Sequence, residues 1–188
     1  REQPDLCMVL GGPEVSHELE GQPLLDLADY VVCGEGEQVF AQLCQQLLNG
    51  DNPPLKILAG TTPPMSELAW PYRLYNDEDL AHRVVYVEAS RGCPFRCEFC
   101  LSSLDKKMRE VPLEEFYEQI DQLLNRGALD FKFIDRTFNL SMPFALGILG
   151  FFRARLRDGL SLHFEMGFPH LQQKKKCHHY LEYCYRGF

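Results

Sequence analysis

The stretch Val84–Cys100, with the sequence VVYVEASRGCPFRCEFC, is the most informative part of the chain. It starts with a run of β-forming residues, which predicts a strand over Val84–Glu88. Three cysteines follow the strand, separated by three and then by two residues: Cys93, Cys97 and Cys100. Thiols at such close spacing cannot all point into a core and are typical of a metal site. The stretch therefore predicts a strand that leads directly into a metal-binding loop.

Downstream of the cysteines, strand and helix patterns alternate. Pro112 opens a segment with apolar residues at spacings of three and four, which predicts a helix. A strand is expected over Leu129–Ile134, then a helix capped by Ser141 that ends near Leu156, then a strand over Leu160–Met166. This alternation indicates parallel strands, with the loop chemistry gathered at one end of a sheet or barrel.

The region upstream of the cysteines has the same character. Strands are expected over Leu6–Leu10 and 28–33, and a helix over Gln38–Leu48; Ser16 is expected to cap a short helix between the strands. Each strand ends in a glycine-bearing loop: Gly11-Gly12 in one and Gly34-Glu35-Gly36 in the other. This order is typical of the edge of a doubly wound α/β domain, where ligands lie beyond the carboxyl ends of the strands.

Bulk properties exclude several classes of protein. The chain has 188 residues and a formal net charge of −8, which argues against a nucleic-acid-binding surface. Its longest mainly apolar stretch, Phe144–Phe152, is too short to span a bilayer, and no signal peptide opens the sequence. We therefore expect a cytoplasmic protein that binds neither membrane nor nucleic acid.

Three interpretations of the cysteine triplet are open from the residues alone. The thiols could be purely structural, or they could hold zinc, although a structural zinc site normally has four ligands, commonly in two pairs. They could also hold an iron–sulfur cluster, for which thiolates are the usual protein ligands. A four-iron cluster held by three cysteines has one iron left to bind a substrate or cofactor. The cluster is the best match.

The sequence Cys93-Pro-Phe-Arg-Cys97-Glu-Phe99-Cys100, placed directly after a strand, resembles the signature of radical S-adenosylmethionine (radical SAM) enzymes. That signature has three and then two intervening residues, with an aromatic residue before the last cysteine. Phe99 occupies the aromatic position; ordinary core packing is the other interpretation of this residue, and the two roles are compatible. The resemblance implies a [4Fe-4S] cluster on Cys93, Cys97 and Cys100.

The upstream residues are similar to the end of the cobalamin-binding domain that precedes the radical domain in one large subgroup. The resemblance lies in the two glycine loops and implies that Gly11, Gly12, Gly34, Glu35 and Gly36 contact cobalamin. The implied fold is the C-terminal part of a doubly wound, Rossmann-like domain followed by the first half of a partial (βα)6 TIM-like barrel. The earlier strands of the cobalamin domain, and any Asp-x-His-x-x-Gly motif, are absent from the sequence.

These features predict four segments: a partial cobalamin-binding domain at 1–50, a proline-rich linker at 51–83, a partial radical SAM barrel at 84–166 and an atypical tail at 167–188. Because an apparent buried strand opens the chain, we expect a fragment of a longer protein. The tail interrupts the strand–helix rhythm, and we hypothesise that the authentic reading frame is lost soon after Met166.

The resemblance also implies a mechanism. The open iron binds S-adenosylmethionine, and an electron from the cluster cleaves it to methionine and a 5′-deoxyadenosyl radical, which abstracts hydrogen from a substrate. Cobalamin commonly hands a methyl group to the substrate radical. Phe99, Asp135, Asn139 and Glu165 are the candidate contacts to S-adenosylmethionine. For Asp135, Arg136 and Asn139, a turn with solvated charges is an equal alternative.

The expected partners are an unknown small-molecule substrate and an electron donor such as flavodoxin or ferredoxin. Two alternatives to a cobalamin-dependent enzyme are a radical SAM enzyme without cobalamin and a non-catalytic module that binds an iron–sulfur cluster or zinc. Glu88 is expected to face the barrel interior, where a buried carboxylate needs a partner. No residue points to the identity of the substrate.

Overall fold

The computed structural model describes residues 6–17, 19–105 and 107–167, and the chain divides into two compact units between Pro64 and Met65. Each unit contains a sheet of parallel strands accompanied by helices, which confirms the predicted α/β class. Apart from Gly167, the atypical tail lies outside the described residues.

The first unit contains a three-stranded parallel sheet in the order β1-β2-β3. Its elements are β1 (Val9–Gly11), a 3-10 turn (Pro13–Val15), α1 (Leu24–Leu27), β2 (Tyr30–Cys33), α2 (Glu37–Leu48) and β3 (Ile57–Ala59). The central strand β2 is buried along its whole length because it is paired on both sides. Val31 and Cys33 pack on one side of it, and Tyr30 and Val32 pack with Leu43 of α2 on the other.

Two features of this unit differ from the sequence-based expectations. The proline-rich segment 51–83 was expected to be a linker, yet it contributes β3, and Val31 of β2 pairs with Ile57. Ser16 does not cap a helix at its N-terminus; it lies at the C-terminal end of the 3-10 turn Pro13–Val15. Pro13 opens that turn, a position that its fixed φ favours, and the Ser16 amide closes it by donating to the Pro13 carbonyl.

The second unit contains a parallel sheet in the order β4-β7-β8 and a short antiparallel pair, β5-β6. Its elements are α3 (Asp77–His82), β4 (Val85–Val87), β5 (Ser90–Arg91), β6 (Arg109–Glu110), α4 (Leu113–Asn125), β7 (Asp130–Phe133), α5 (Met142–Arg153) and β8 (Ser161–His163), with 3-10 turns at Met65–Glu67, Tyr72–Leu74 and Leu101–Leu104. The helices α4 and α5 connect successive strands of the parallel sheet.

The two long helices of this unit form where the sequence predicts them. Helix α4 begins after Pro112, carries Glu114 and Glu115 in its first turn, and ends at Asn125. Negative charge in the first turn is favourable because the N-terminal end of a helix dipole is positive. Ser141 lies at the N-cap of α5, although its side chain makes no capping hydrogen bond. Helix α5 ends at Arg153, three residues before the expected end.

Aromatic side chains dominate the core between these helices and the sheet. The Phe133 ring centroid lies 5.4 Å from that of Phe138 and 4.6 Å from that of Phe164. Trp70, the single tryptophan of the sequence, packs against Phe116 with ring centroids 6.3 Å apart, and its indole N–H donates to Glu115 at 3.4 Å. Part of the predicted linker is therefore built into the second unit.

The opposite face of the same sheet is polar. Tyr86, Lys132 and His163 are in register across β4, β7 and β8, at positions alternating with the buried residues. The Lys132 ammonium lies 5.8 Å from the centroid of the Tyr86 ring, within reach of a cation–π interaction. Parallel sheets are usually apolar on both faces, so a polar row is a distinctive feature of this one.

Candidate functional site

The cysteine loop has a narrow, rigid base. Gly92 has a φ of +90°, and a Cβ at this position would lie 2.4 Å from the Lys107 carbonyl oxygen, so no other residue fits without moving the backbone. Next to it, the Cys93 amide donates to the Asp105 carbonyl at 2.9 Å. The β5-β6 pair adds Ser90 opposite Glu110 and Arg91 opposite Arg109. The strands β5 and β6 thus fix both ends of the loop.

The three cysteines lie on this loop with very different exposure. Cys93 is buried, Cys97 is exposed and Cys100 is half-buried, and all three are free thiols. The Cys100 amide donates to the Cys97 carbonyl at 3.0 Å, which folds the second half of the triplet into a turn. In the described part of the chain, no three Cys, His, Asp or Glu side chains lie close enough together to hold a metal ion.

The donor set is nevertheless the right kind for an iron–sulfur cluster. Three thiols occur within eight residues, and the stretch from Gly92 to Arg96 has no regular secondary structure that would fix where the sulfur atoms point. The three thiols are therefore the right ligand type for the cluster, although in this structure their side chains do not converge on one point.

Phe99 is 95% exposed, so the core-packing alternative for this residue is wrong. Its neighbours on the loop explain the exposure, because the turn from Cys97 to Cys100 turns the intervening residues outward. The aromatic ring is therefore accessible to a ligand beside the last cysteine.

Asp135 follows β7 and is buried, with 1% of its surface exposed. Its carboxylate accepts hydrogen bonds from the Ala89 amide at 3.1 Å and from the Ser90 hydroxyl at 2.5 Å. Burial raises the pKa of Asp135 to about 6, against the opposing effect of these two hydrogen bonds; the nearby Glu88 charge adds to the rise. The solvated-turn alternative is wrong for this residue, and the carboxylate joins the end of β7 to the start of the cysteine loop.

Asn139 is also buried, with 1% of its surface exposed, and it bonds to Gly167 with both ends of its amide. Its Oδ1 accepts from the Gly167 amide at 2.8 Å, and its Nδ2 donates to the Gly167 carbonyl at 3.2 Å. Arg136 is exposed, as expected for a solvated charge. The contacts of Asp135 and Asn139 with S-adenosylmethionine stay predictions.

Sequence reasoning missed Thr137, which lies between these two residues. It is 3% exposed, and its Oγ1 lies 3.5 Å from the Sγ of Cys93. The sequence 135–139 has no local signal that separates Thr137 from its neighbours, since Arg136 is polar as well, and only the structure shows that Thr137 is buried.

The two glutamates named from the sequence have different environments. Glu165 is exposed, and its carbonyl accepts from the Phe138 amide at 2.9 Å. Glu88 is half-buried and has the partner that it needs, because Arg91 donates to both carboxylate oxygens at 2.8 and 2.9 Å. The Tyr72 hydroxyl accepts from the Glu88 amide at 2.9 Å, and burial raises the pKa of Tyr72 well above its usual value.

The glycine loops of the first unit line a cleft of about 510 Å³ at the carboxyl ends of β1 and β2. The cleft is lined by Val9, Leu10, Gly11, Gly12, Val32, Gly34, Glu35, Gly36, Glu37 and Phe40. All five residues predicted to contact cobalamin are in this set. Because four of them are glycines, the backbone itself forms much of the wall, and a flat or bulky ligand can approach it closely.

Two contacts that sequence reasoning missed shape this cleft. The Ser16 hydroxyl donates to the Gly12 carbonyl at 2.7 Å and accepts from the Gly34 amide at 2.9 Å, so it ties the two loops together. The Gly60 amide donates to the Cys33 carbonyl at 2.7 Å, and a Cβ on Gly60 would lie 1.9 Å from the Glu35 carbonyl oxygen. The loop that carries Glu35 therefore packs directly on the Gly60 backbone.

No helix among the described ranges is long and apolar enough to cross a membrane.

No protein-family model matches the chain. Among curated proteins, it is 30% identical to the uncharacterized methyltransferase PH0819 of Pyrococcus horikoshii, over 77% of this chain and 36% of that protein. The chain thus spans about a third of the relative's length.

Two solved structures of the radical S-adenosylmethionine methyltransferase TsrM from Kitasatospora setae contain a part whose fold is similar to that of the chain. One, with cobalamin and a [4Fe-4S] cluster bound, matches with a TM-score of 0.55 at 18% identity and covers 80% of this chain and 34% of that one. The other, with tryptophan substrate and a SAM analog bound, matches with a TM-score of 0.54 at 18% identity and covers 78% and 33%.

Proposed function

We propose that the chain is part of a cobalamin-dependent radical SAM methyltransferase. The observation that carries the proposal is the triplet Cys93, Cys97 and Cys100 on one loop, which follows the parallel strand β4 and has its base fixed by the antiparallel pair β5-β6. A methyltransferase among the similar curated proteins and the fold shared with TsrM support it. The substrate, and the electron donor (flavodoxin or ferredoxin), belong to the whole protein and are part of the proposal.

The proposed architecture follows from the order of elements. The first unit, which extends beyond residue 50 because β3 pairs with β2, is assigned as the C-terminal part of a doubly wound cobalamin-binding domain, and 84–166 as the first half of a partial (βα)6 barrel. The alternation β4-α4-β7-α5-β8 with all strands parallel supports the second assignment, because helices that cross over between parallel strands build such barrels.

Each candidate residue has a role in this proposal. The thiolates of Cys93, Cys97 and Cys100 hold three irons, and the accessible ring of Phe99 and the exposed carboxylate of Glu165 are available to contact S-adenosylmethionine. When bound, the cluster supplies the electron that cleaves S-adenosylmethionine, and cobalamin carries the methyl group. The buried Asp135 and Asn139 hold the loop after β7 in place beside the site.

Cobalamin is assigned to the cleft of the first unit. The main chain of Gly11, Gly12, Gly34 and Gly36 presents few side chains to a ligand, so a large planar ring can approach the backbone. The carboxylate of Glu35 lies on the same loop and provides an acceptor for amide groups on the rim of such a ring.

Anaerobic reconstitution of the chain with iron and sulfide tests the proposal. We expect about four irons and four sulfides per chain, and an electron paramagnetic resonance spectrum of the dithionite-reduced protein that changes when S-adenosylmethionine is added. A colourless protein with one zinc per chain would contradict it. A separate titration with hydroxocobalamin tests the first unit: cluster formation without cobalamin binding would favour a radical SAM enzyme that does not use cobalamin.

Cys97→Ala should abolish cluster binding, because it removes one of three thiolates and leaves too few ligands for the iron. Iron content after reconstitution is the measurement, with Cys7→Ala as the matched control, since Cys7 is an exposed free thiol of the first unit. A Cys97→Ala protein with wild-type iron content would refute the assignment of this residue.

A further inference from the structure

The hydroxyl of Thr137 lies against the sulfur of the first cysteine of the loop. Thr137 Oγ1 and Cys93 Sγ are 3.5 Å apart, within hydrogen-bond distance for sulfur, and either atom can donate while the cysteine is a thiol. Both side chains are buried, with 3% and 8% exposed. Water therefore competes little for this contact, and the pair links the loop after β7 to the cysteine loop.

The backbone around Thr137 is held on both sides. Two residues before it, the Asp135 carboxylate bonds to the amide of Ala89 and the hydroxyl of Ser90. Two residues after it, the Asn139 amide bonds twice to Gly167. Fixing both flanks reduces the freedom of Thr137 to move away from Cys93.

The methyl group of Thr137 lies close to Gly167. A Cβ placed on Gly167 would lie 2.9 Å from Thr137 Cγ2 and 3.1 Å from the ring of Phe95, which is itself part of the cysteine loop. Threonine has few χ1 rotamers, so its hydroxyl has few directions to take.

We infer that Thr137 is a positioning residue that donates a hydrogen bond to the sulfur of Cys93 in the cluster-bound protein. The inference rests on the proposed function, since it takes Cys93 to be a cluster ligand. A ligating thiolate carries no proton, so the hydroxyl must be the donor. Hydrogen bonds to ligand sulfurs stabilise the more negative, reduced cluster and raise its reduction potential.

A pair of variants separates the hydroxyl from the methyl. Thr137→Val keeps the shape of the side chain and removes the donor, whereas Thr137→Ser keeps the donor and removes the methyl. Both are reconstituted anaerobically, and the midpoint potential of the cluster is measured by redox titration with electron paramagnetic resonance detection. We expect a more negative potential in Thr137→Val and the wild-type potential in Thr137→Ser.

The other outcomes are also decisive. If Thr137→Val fails to hold the cluster while Thr137→Ser holds it at the wild-type potential, the hydroxyl is needed and the inference stands. If Thr137→Val has the wild-type potential, or if both variants shift or lose the cluster alike, the contact is only packing and the inference fails. A wild-type chain that forms no cluster overturns the proposed function first, so the two failures are distinguishable.

Discussion

The two candidate sites differ in the residues that form them. In the first unit, four of the ten residues that line the cleft are glycines, which leave part of its wall to the main chain. In the second unit, the segment after β7 carries three buried polar side chains: Asp135 bonds to Ala89 and Ser90 before the cysteine loop, Thr137 lies against Cys93, and Asn139 bonds to Gly167. The cleft depends on glycines, which have no side chains to fill it, whereas the cysteine site depends on the hydrogen bonds of polar side chains. Substitutions that add atoms should therefore damage the first site most, and substitutions that remove polar atoms should damage the second.

Gly60→Ala should cause the largest effect. Its Cβ would lie 1.9 Å from the Glu35 carbonyl oxygen and 2.8 Å from the Cys33 carbonyl oxygen, and backbone atoms cannot give way as a flexible side chain can. We expect the free energy of unfolding of the first unit to fall by about 3 kcal/mol, with loss of hydroxocobalamin binding. Urea denaturation followed by circular dichroism and a visible-absorbance titration measure the two effects.

Gly11→Ala is the matched control for this substitution. It adds the same methyl group to the same unit, but its Cβ would come no closer than 3.6 Å to the Val32 carbonyl oxygen. Its stability should stay within about 1 kcal/mol of the wild type. Equal destabilisation by the two alanines would contradict the view that the Gly60 contact shapes the cleft.

Asp135→Asn should have a pH-dependent effect of intermediate size. The folded pKa of about 6 exceeds the ordinary value of 3.8, so Asp135 contributes stability that is complete below pH 3.8 and is lost as the pH rises through 6. Relative to Asp135→Asn, the wild type should therefore lose on the order of 2–3 kcal/mol over this window. The asparagine keeps an acceptor for the Ala89 amide and can donate to the Ser90 hydroxyl.

Urea denaturation of the cluster-free chain at several pH values between 4 and 7 measures this difference. Asp158→Asn, which changes an exposed carboxylate of the same unit, is the control and should follow the wild type at every pH. Parallel stability curves for the wild type and Asp135→Asn would show that burial does not govern the titration of this group.

Ser16→Ala should have the smallest effect, although it removes the side chain that ties the two glycine loops together. The exposed Gly34 amide loses its protein acceptor, which costs about 1 kcal/mol of stability, the value of a typical hydrogen bond. If this cost is felt in the cleft, hydroxocobalamin should bind roughly fivefold more weakly. Ser16→Thr retains the hydroxyl and should match the wild type. If Ser16→Ala equals the wild type in stability and in hydroxocobalamin binding, the Ser16 hydroxyl contributes nothing to the two glycine loops, and this prediction is wrong.

The long helices were among the most predictable parts of the fold. Helix α4 begins where it is expected because its buried Phe116, Ile120, Leu123 and Leu124 repeat at helical spacing over three turns. The strand β3 was missed, since its three residues lie between two pairs of prolines and only the middle one is partly buried. A strand of that length carries too few residues for any period to be recognised, and its pairing with β2 is a tertiary effect.

The candidate sites divide in the same way. The cysteines were found because their spacing is a local property, and the glycine loops were found because each follows a strand. Thr137 was missed because its partner, Cys93, is 44 residues away in the sequence. Asp135 was predicted to be a site residue, but its burial and its hydrogen bonds to Ala89 and Ser90 were not predicted, because those partners are also distant in the sequence. Contacts across the sheet decide these roles, and no single segment encodes them.

The position of Trp70 has a practical consequence for all of these measurements. The only indole of the chain lies in the second unit, against Phe116 and Tyr72. Fluorescence excited selectively at tryptophan therefore reports the unfolding of that unit and is silent for the first one. Gly60→Ala should shift the circular dichroism transition while leaving the fluorescence transition in place, and Asp135→Asn should shift both. Comparing the fluorescence and circular dichroism transitions therefore shows which of the two units a substitution destabilises.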